Sequence, residues 1–291
     1  MNVFQLRQIS QRINDSLDSC GIFHMLTSRE KSQDSLSKKI KARPDGYYSS
    51  SGKRIQDVFG VRVVCYFRED IELVKELASK LFKIEEESTV IDNFGDETFK
   101  AERFNLICRL TEIIQPSFTS YSDIIDNTFE LQIRTIFSEG WHEVEHDLRY
   151  KRKDDWSQHA DLSRLLNSFF ASIQSSEWGL NCLFKEMADR ATKAKKLESF
   201  LVNHLKIRIT GEVSASLKQA LEKSESIFLE LSAIDRSFIL NSIASLPIRL
   251  ALTFDNIIYL LNHLYLGNSK ISEDCPEFLR YQFSTYLKKA R

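Results

Sequence analysis

Hydrophobic and polar positions along this chain repeat with two different periods. Between 129 and 134 the period is two: Phe129, Leu131 and Ile133 fall on one side of an extended chain, and Glu130, Gln132 and Arg134 on the other. The pattern predicts a strand over Asn127–Ile133 whose polar face carries a carboxylate, an amide and a guanidinium. Val58–Phe67 is a nearly continuous apolar, β-branched run, the pattern of a central strand buried on both faces. Arg103–Leu110 and Phe82–Val90 predict further strands. Elsewhere the period is helical. Residues 2–19 place Phe4, Ile9, Ile13 and Leu17 near one stripe, Ile71–Leu81 repeats at helical spacing, and longer helices are predicted over about 135–151 and 157–193. Thr27 and Glu30 have capping-box spacing, which predicts a helix from Thr27 to about Ala42, ahead of Pro44. Pro44–Gly52 (PDGYYSSSG) reads as a loop. From Ala194 onward the patterns are helical, at Ser199–Ile207, Ser214–Lys223 and Asn256–Leu266. The predicted organisation is a mixed α/β (α+β) domain over 1–193 and an α-helical region over 194–291, divided at the polar stretch Thr192–Lys196.

Composition narrows the classes. The 291-residue chain is 42% hydrophobic, enough for a sizeable core, and its net charge of -1 argues against indiscriminate nucleic-acid binding. Its five cysteines are widely spaced with no CxxC, which suits a reducing compartment and speaks against a disulfide framework or a cysteine zinc site. The N-terminus lacks the apolar core of a signal peptide, and no run approaches a membrane helix. A cytoplasmic protein is expected.

Three clusters could carry chemistry. Lys31, Ser35 and Lys39 follow one another at helical spacing, with Arg29 ahead and Lys38, Lys41 and Arg43 adding charge. Such a stripe can hold a polyphosphate, although a solvated basic face has the same spacing. Asp57 stands just before the Val58 strand, at a sheet end. With Glu130 it could supply oxygens to a hard cation such as magnesium, although a turn aspartate reads identically. Strict alternation puts Arg62 opposite Asp57 unless Asp57 lies outside the regular strand. His142-Glu143-Val144-Glu145-His146 matches the zinc-protease pattern formally. Its charged surroundings and the lack of a nearby third ligand make it a short-motif coincidence.

In order, these pieces resemble the RelA/SpoT synthetase domain of alarmone synthetases. The resemblance runs through Arg29-x-Lys31-x3-Ser35-x3-Lys39, Asp57-Val58-x-Gly60-Val61-Arg62, Glu130-Leu131-Gln132-Ile133-Arg134-Thr135 and Trp141-x3-Glu145-His146-x3-Tyr150-Lys151, over residues 25–152. It implies a nucleotidyltransferase-like fold, a mixed sheet flanked by helices. The implied reaction moves the β,γ-pyrophosphate of ATP to the 3′-hydroxyl of GDP or GTP to make (p)ppGpp. It further implies that Arg29 and Arg62 hold adenine, that Lys31 and Lys39, with Ser35, hold the phosphates, and that Asp57 binds Mg2+. Glu130 would share the metal or activate the hydroxyl, with Gln132 beside it. The family's Gly-Tyr-x-Ser-x-His is replaced by Arg103-Phe104-Asn105-Leu106-Ile107-Cys108. Phe104 would then stack on the acceptor or sit in the core, and Arg134 and Lys100 would supply acceptor charge. Some small family members are toxins or phage-defence proteins that modify the tRNA 3′ end, so tRNA is an alternative acceptor. A silent nucleotide-binding regulatory module is a third reading. The C-terminal helices are expected to serve homo-oligomerisation, autoinhibition or an antitoxin-type partner.

Overall fold

The computed structural model describes residues 2–91, 104–110, 121–222 and 227–288. The chain folds as two compact units, Met1–Asp15 with His24–Glu177 and Ser16–Phe23 with Trp178–Arg291. The division therefore falls within a helix and not at the polar stretch near 193–196.

In the first unit, α1 (Asn2–Ser19) leads into β1 (His24–Glu30), α2 (Gln33–Lys41), β2 (Phe59–Cys65), α3 (Asp70–Leu81), β3 (Lys83–Ile84), β4 (Val90–Ile91), β5 (Phe104–Arg109), β6 (Thr128–Thr135), α4 (Ile136–Leu148), α5 (Lys153–Trp156) and the start of α6 (Ala160–Lys193). The sheet is mixed, in the order β1-β2-β6-β5-β3, with β4 also on β5. β2 and β6 run parallel, and the other pairings are antiparallel. Alternation accounts for the faces. Val61, Val63, Leu131 and Ile133 are at most 1% exposed, on the face that packs into the core. Phe82 meets Phe129 edge-on, and Trp141 packs against Phe170.

Three expectations are corrected. The Thr27 helix does not form: Thr27 pairs with Arg62 in the β1–β2 ladder, and α2 is capped later by Ser32, whose hydroxyl accepts from the Ser35 amide at 3.3 Å. Seven ladder positions outweigh a local capping signal, as tertiary pairing commonly does. β2 is not buried along the whole of both faces: Gly60 and Arg62 are partly exposed on the cavity side, and only Val64 is buried on that side. The strand expected over Phe82–Val90 is split by a 3₁₀ turn at Glu86–Ser88. The two pieces on either side of the turn, β3 and β4, both pair with β5.

The second unit is helical: α7 (Leu197–Leu205), α8 (Ala215–Glu222), α9 (Ile227–Ser232), α10 (Arg236–Ser245), α11 (Phe254–Leu261), α12 (Ser269–Asp274) and α13 (Glu277–Tyr286). Its core includes Phe200, Leu201, Leu217, Ile239, Leu240 and Ile257. Ile22 bridges to Ile207, and the Arg208 amide donates to the Gly21 carbonyl. Among the described residues no helix is long and apolar enough to cross a membrane.

Candidate active site

Sheet register brings the polar residues into rows. Arg29 pairs with Gly60, and Gly60 with Glu130. In the next row Thr27, Arg62, Gln132 and Asn105 follow one another across four strands. Gly60, which has no side chain, leaves a hollow between Arg29 and Glu130. A cavity of about 570 Å³ opens on this face, lined by Arg29, Lys31, Ser35, Asp57, Arg62, Glu130 and Gln132 among others. Its size suits a nucleotide.

At one end Asp57 lies just before β2, outside the strict alternation, so it shares the cavity with Arg62. Lys31 and Lys39 each reach one of its carboxylate oxygens at 2.6 Å. The Lys31 amide, donating to the Val58 carbonyl at 2.8 Å, fixes the start of this arrangement. Burial alone raises the Asp57 pKa, but the hydrogen bonds and charges of the two lysines outweigh it and hold the carboxyl below its usual range.

At the other end Arg62 donates through Nε to Gln132 Oε1 at 2.9 Å and through Nη1 to Glu143 at 2.7 Å, and it also bonds Glu139. Burial disfavours its charge, yet these two carboxylates raise its pKa above the ordinary value. Gln132 Nε2 donates to Glu130 Oε2 at 2.8 Å, and Asn105 Nδ2 donates to Glu130 Oε1 at 3.0 Å. On α4, burial and the neighbouring Arg134 and Arg62 lower the pKa of His142.

The acceptor-side expectations fare differently. Phe104 pairs with Ile133, so it lies on the face away from Glu130. There it lines a small space with Ile71, Ile133, Phe137 and Phe170. Arg134 is 4% exposed and donates to Asn105 Oδ1 at 3.0 Å and to the Ile133 carbonyl, so it is committed inside the protein and not presented to a ligand. Lys100 lies outside the described residues. Within HEVEH, Glu143 binds Arg62, and His146 Nδ1 lies 2.9 Å from Asp147.

Magnesium fits the donor set. Asp57 and Glu130 both line the cavity and offer the hard oxygens this ion takes from one or two carboxylates plus substrate phosphates. Among the described residues no group of three or more His, Cys, Asp and Glu side chains forms a self-contained metal cage.

Residues 28–155, which span these cavity residues, match the family model described as the region found in RelA / SpoT proteins. Over that stretch the chain is similar to RelA / SpoT proteins. Over 99 residues it is 27% identical to GTP pyrophosphokinase YjbM of Bacillus subtilis (strain 168), a match covering 33% of this chain and 43% of that protein, less than half the relative's length. Among solved structures, small alarmone synthetase 1 of Bacillus subtilis bound to its product pppGpp aligns with a TM-score of 0.44 at 20% identity, over 63% of this chain and 95% of that one. A GTP pyrophosphokinase family protein from Streptococcus pneumoniae aligns with a TM-score of 0.44 at 15% identity, over 69% and 93% of the respective chains.

The sequence motifs did not mark Asn105, Glu139 and Glu143 as parts of the polar network around Glu130 and Arg62. Asn105 had no motif to mark it, because its role depends on which β6 residue it faces. Glu139 and Glu143 did carry a signal: they are four apart on one helix, spaced to grip a single cation.

Proposed function

We propose that this protein is an ATP-dependent pyrophosphokinase that transfers the β,γ-pyrophosphate of ATP to the 3′-hydroxyl of GDP or GTP. What carries the reading is the convergence of Arg29, Lys31, Ser35, Asp57, Arg62, Glu130 and Gln132 on one nucleotide-sized cavity. Lys31 and Lys39 neutralise the phosphate chain, which competes with Asp57 for their ammonium groups. Arg29 is exposed and Arg62 is fixed by Glu139 and Glu143, so their planar guanidinium groups are available to flank adenine. Asp57, with Glu130, would hold Mg2+, which neutralises charge on the transferred group. The acceptor oxygen attacks the β-phosphorus as the bond to the α,β-bridging oxygen breaks. AMP leaves, and the hydroxyl proton passes to Glu130. Positioning and charge neutralisation supply most of the rate in such transfers.

A second reading, transfer to the tRNA 3′ end, is favoured by one observation. Phe104, the aromatic expected under the acceptor's guanine, faces away from the cavity. One assay tests both readings: γ-labelled ATP and Mg2+ offered GDP, GTP or tRNA in parallel. Label on GDP or GTP supports the first reading, and label on tRNA alone supports the second. No labelled product with any acceptor would overturn pyrophosphate transfer.

A further inference from the structure

The network around Glu130 has a polarity that its composition imposes. A guanidinium can only donate hydrogen bonds and a carboxylate can only accept them. A carboxamide placed between the two must therefore turn its oxygen to the arginine and its NH2 to the carboxylate. This arrangement occurs on both sides of Glu130. On the β2 side, Arg62 Nε donates to Gln132 Oε1 at 2.9 Å, and Gln132 Nε2 donates to Glu130 Oε2 at 2.8 Å. On the β5 side, Arg134 Nη2 donates to Asn105 Oδ1 at 3.0 Å, and Asn105 Nδ2 donates to Glu130 Oε1 at 3.0 Å.

The two sides differ in exposure. Arg62 and Gln132 line the cavity, where a ligand meets them. Arg134 is buried and tied to its own strand through the Ile133 carbonyl, and neither it nor Asn105 lines the cavity. The β5 side is thus an internal strut. It can set the angle of the Glu130 carboxylate without touching substrate.

We infer that Asn105 and Arg134 are positioning residues that hold Glu130 in its reactive orientation, each carboxylate oxygen keeping lone-pair capacity for the cavity side. The inference rests on Glu130 acting on the acceptor hydroxyl. It assigns Arg134 to the interior support of the carboxylate and not to acceptor binding.

Two measurements test it. In the labelled-ATP assay, with whichever acceptor takes the label, Asn105→Ala and Asn105→Asp are expected to lower kcat roughly tenfold or more, with the KM for ATP within about twofold of the parent. Asn105→Asp retains an acceptor for buried Arg134 while losing the donor to Glu130, so it stays informative where Asn105→Ala fails to fold. A parental kcat in Asn105→Asp would overturn the inference, as would an equal loss in kcat/KM carried entirely by KM. The second measurement needs no turnover. In 15N-labelled full-length protein, the side-chain amide resonances of Asn105 and Gln132 are followed on Glu130→Gln substitution. A glutamine presents one acceptor and one donor in place of two acceptors, so at least one of the two amides must lose its partner and its resonance must move. Both resonances unmoved would show that neither amide is bonded to residue 130, and the strut would be disproved. If wild-type protein labels no acceptor, the functional reading fails, while the amide resonances still decide whether the strut exists.

Discussion

Glu130 and Gly60 sit side by side in the sheet, and each makes a separable prediction. Glu130→Gln keeps the size of the side chain and removes its capacity to take a proton. Transfer should fall roughly 10²–10⁴-fold, the usual contribution of a positioned acid or base. ATP affinity, measured by equilibrium dialysis without Mg2+, should hardly change, and full activity in this variant would remove the proposed base. Gly60→Val tests the floor of the cavity. A Cβ at position 60 meets nothing nearer than the Arg29 carbonyl oxygen at 3.9 Å, so the backbone leaves room for a side chain to begin there. The added side chain then occupies the hollow between Arg29 and Glu130. Overfilling a fitted space costs about 1–3 kcal/mol, so ATP binding by calorimetry should weaken between roughly fivefold and a hundredfold while the melting temperature holds. Unchanged ATP affinity would place the nucleotide away from Gly60.

Among the elements, α4 ties the sheet to the site. Its first turn is closed by a capping box in which Thr135 Oγ1 accepts from the Ser138 amide and Ser138 Oγ accepts from the Thr135 amide. Thr135→Ala should cost about 0.5–2 kcal/mol in urea unfolding. The same helix carries His142, whose pKa is lowered first by burial and then by Arg134 and Arg62, against the opposing pull of Glu139. The unfolded chain therefore binds this proton more readily than the folded one. The stabilisation is fully present above the ordinary imidazole value of 6.5 and is lost as pH falls below it through the depressed folded value. His142→Gln should therefore flatten the decline of the urea midpoint from about pH 7 to pH 5; an unchanged slope would assign that decline to other groups. How much was legible in the sequence follows from which interactions decide each element. β2, β6, α3 and α6 repeat their apolar positions in their own sequence, so their periods exposed them. β1 had no such independence: its cap-like Thr27 and Glu30 give way to pairing with a strand some thirty residues on. That Arg29, Lys31, Ser35, Asp57, Arg62, Glu130 and Gln132 belong together was legible because motif order marks them, and one cavity gathers them. Phe104 was left between site and core and Asn105 passed over for one reason, since a strand's two faces can be assigned to site and core only once its register is known.

At the scale of the whole molecule, the placement of Ser16–Phe23 tests the division into units. A boundary at 193 treats residues 1–193 as self-sufficient, but Ser16–Phe23 folds with the second unit. Within it Leu17, Cys20 and Ile22 are at most 1% exposed. Cys20 Sγ lies 3.8 Å from the Leu240 carbonyl oxygen, and Ile22 bridges to Ile207, both beyond any cut at Lys193. The polar stretch 192–196 marks the end of α6, and a helix end need not be a domain boundary. The cysteines provide the readout. Cys182 is exposed and the other four are buried, with burial pushing the Cys108 thiol up to about 12 and that of Cys275 up to about 11. Thiolate is the reactive form, so the intact native protein should show a single fast-reacting thiol toward an aromatic disulfide reagent. A chain ending at Lys193 keeps Cys20, Cys65, Cys108 and Cys182 but lacks the residues that close over Cys20. Two fast thiols are expected, with peptide mapping placing the new label on Cys20, while Cys65 and Cys108 stay protected in the sheet as internal controls of folding. Labelling confined to Cys182 in the shortened chain would mean that the first unit can cover Ser16–Phe23 by itself, and 1–193 would then stand as an independent domain. Labelling of all four would mean that the sheet itself depends on the helical unit.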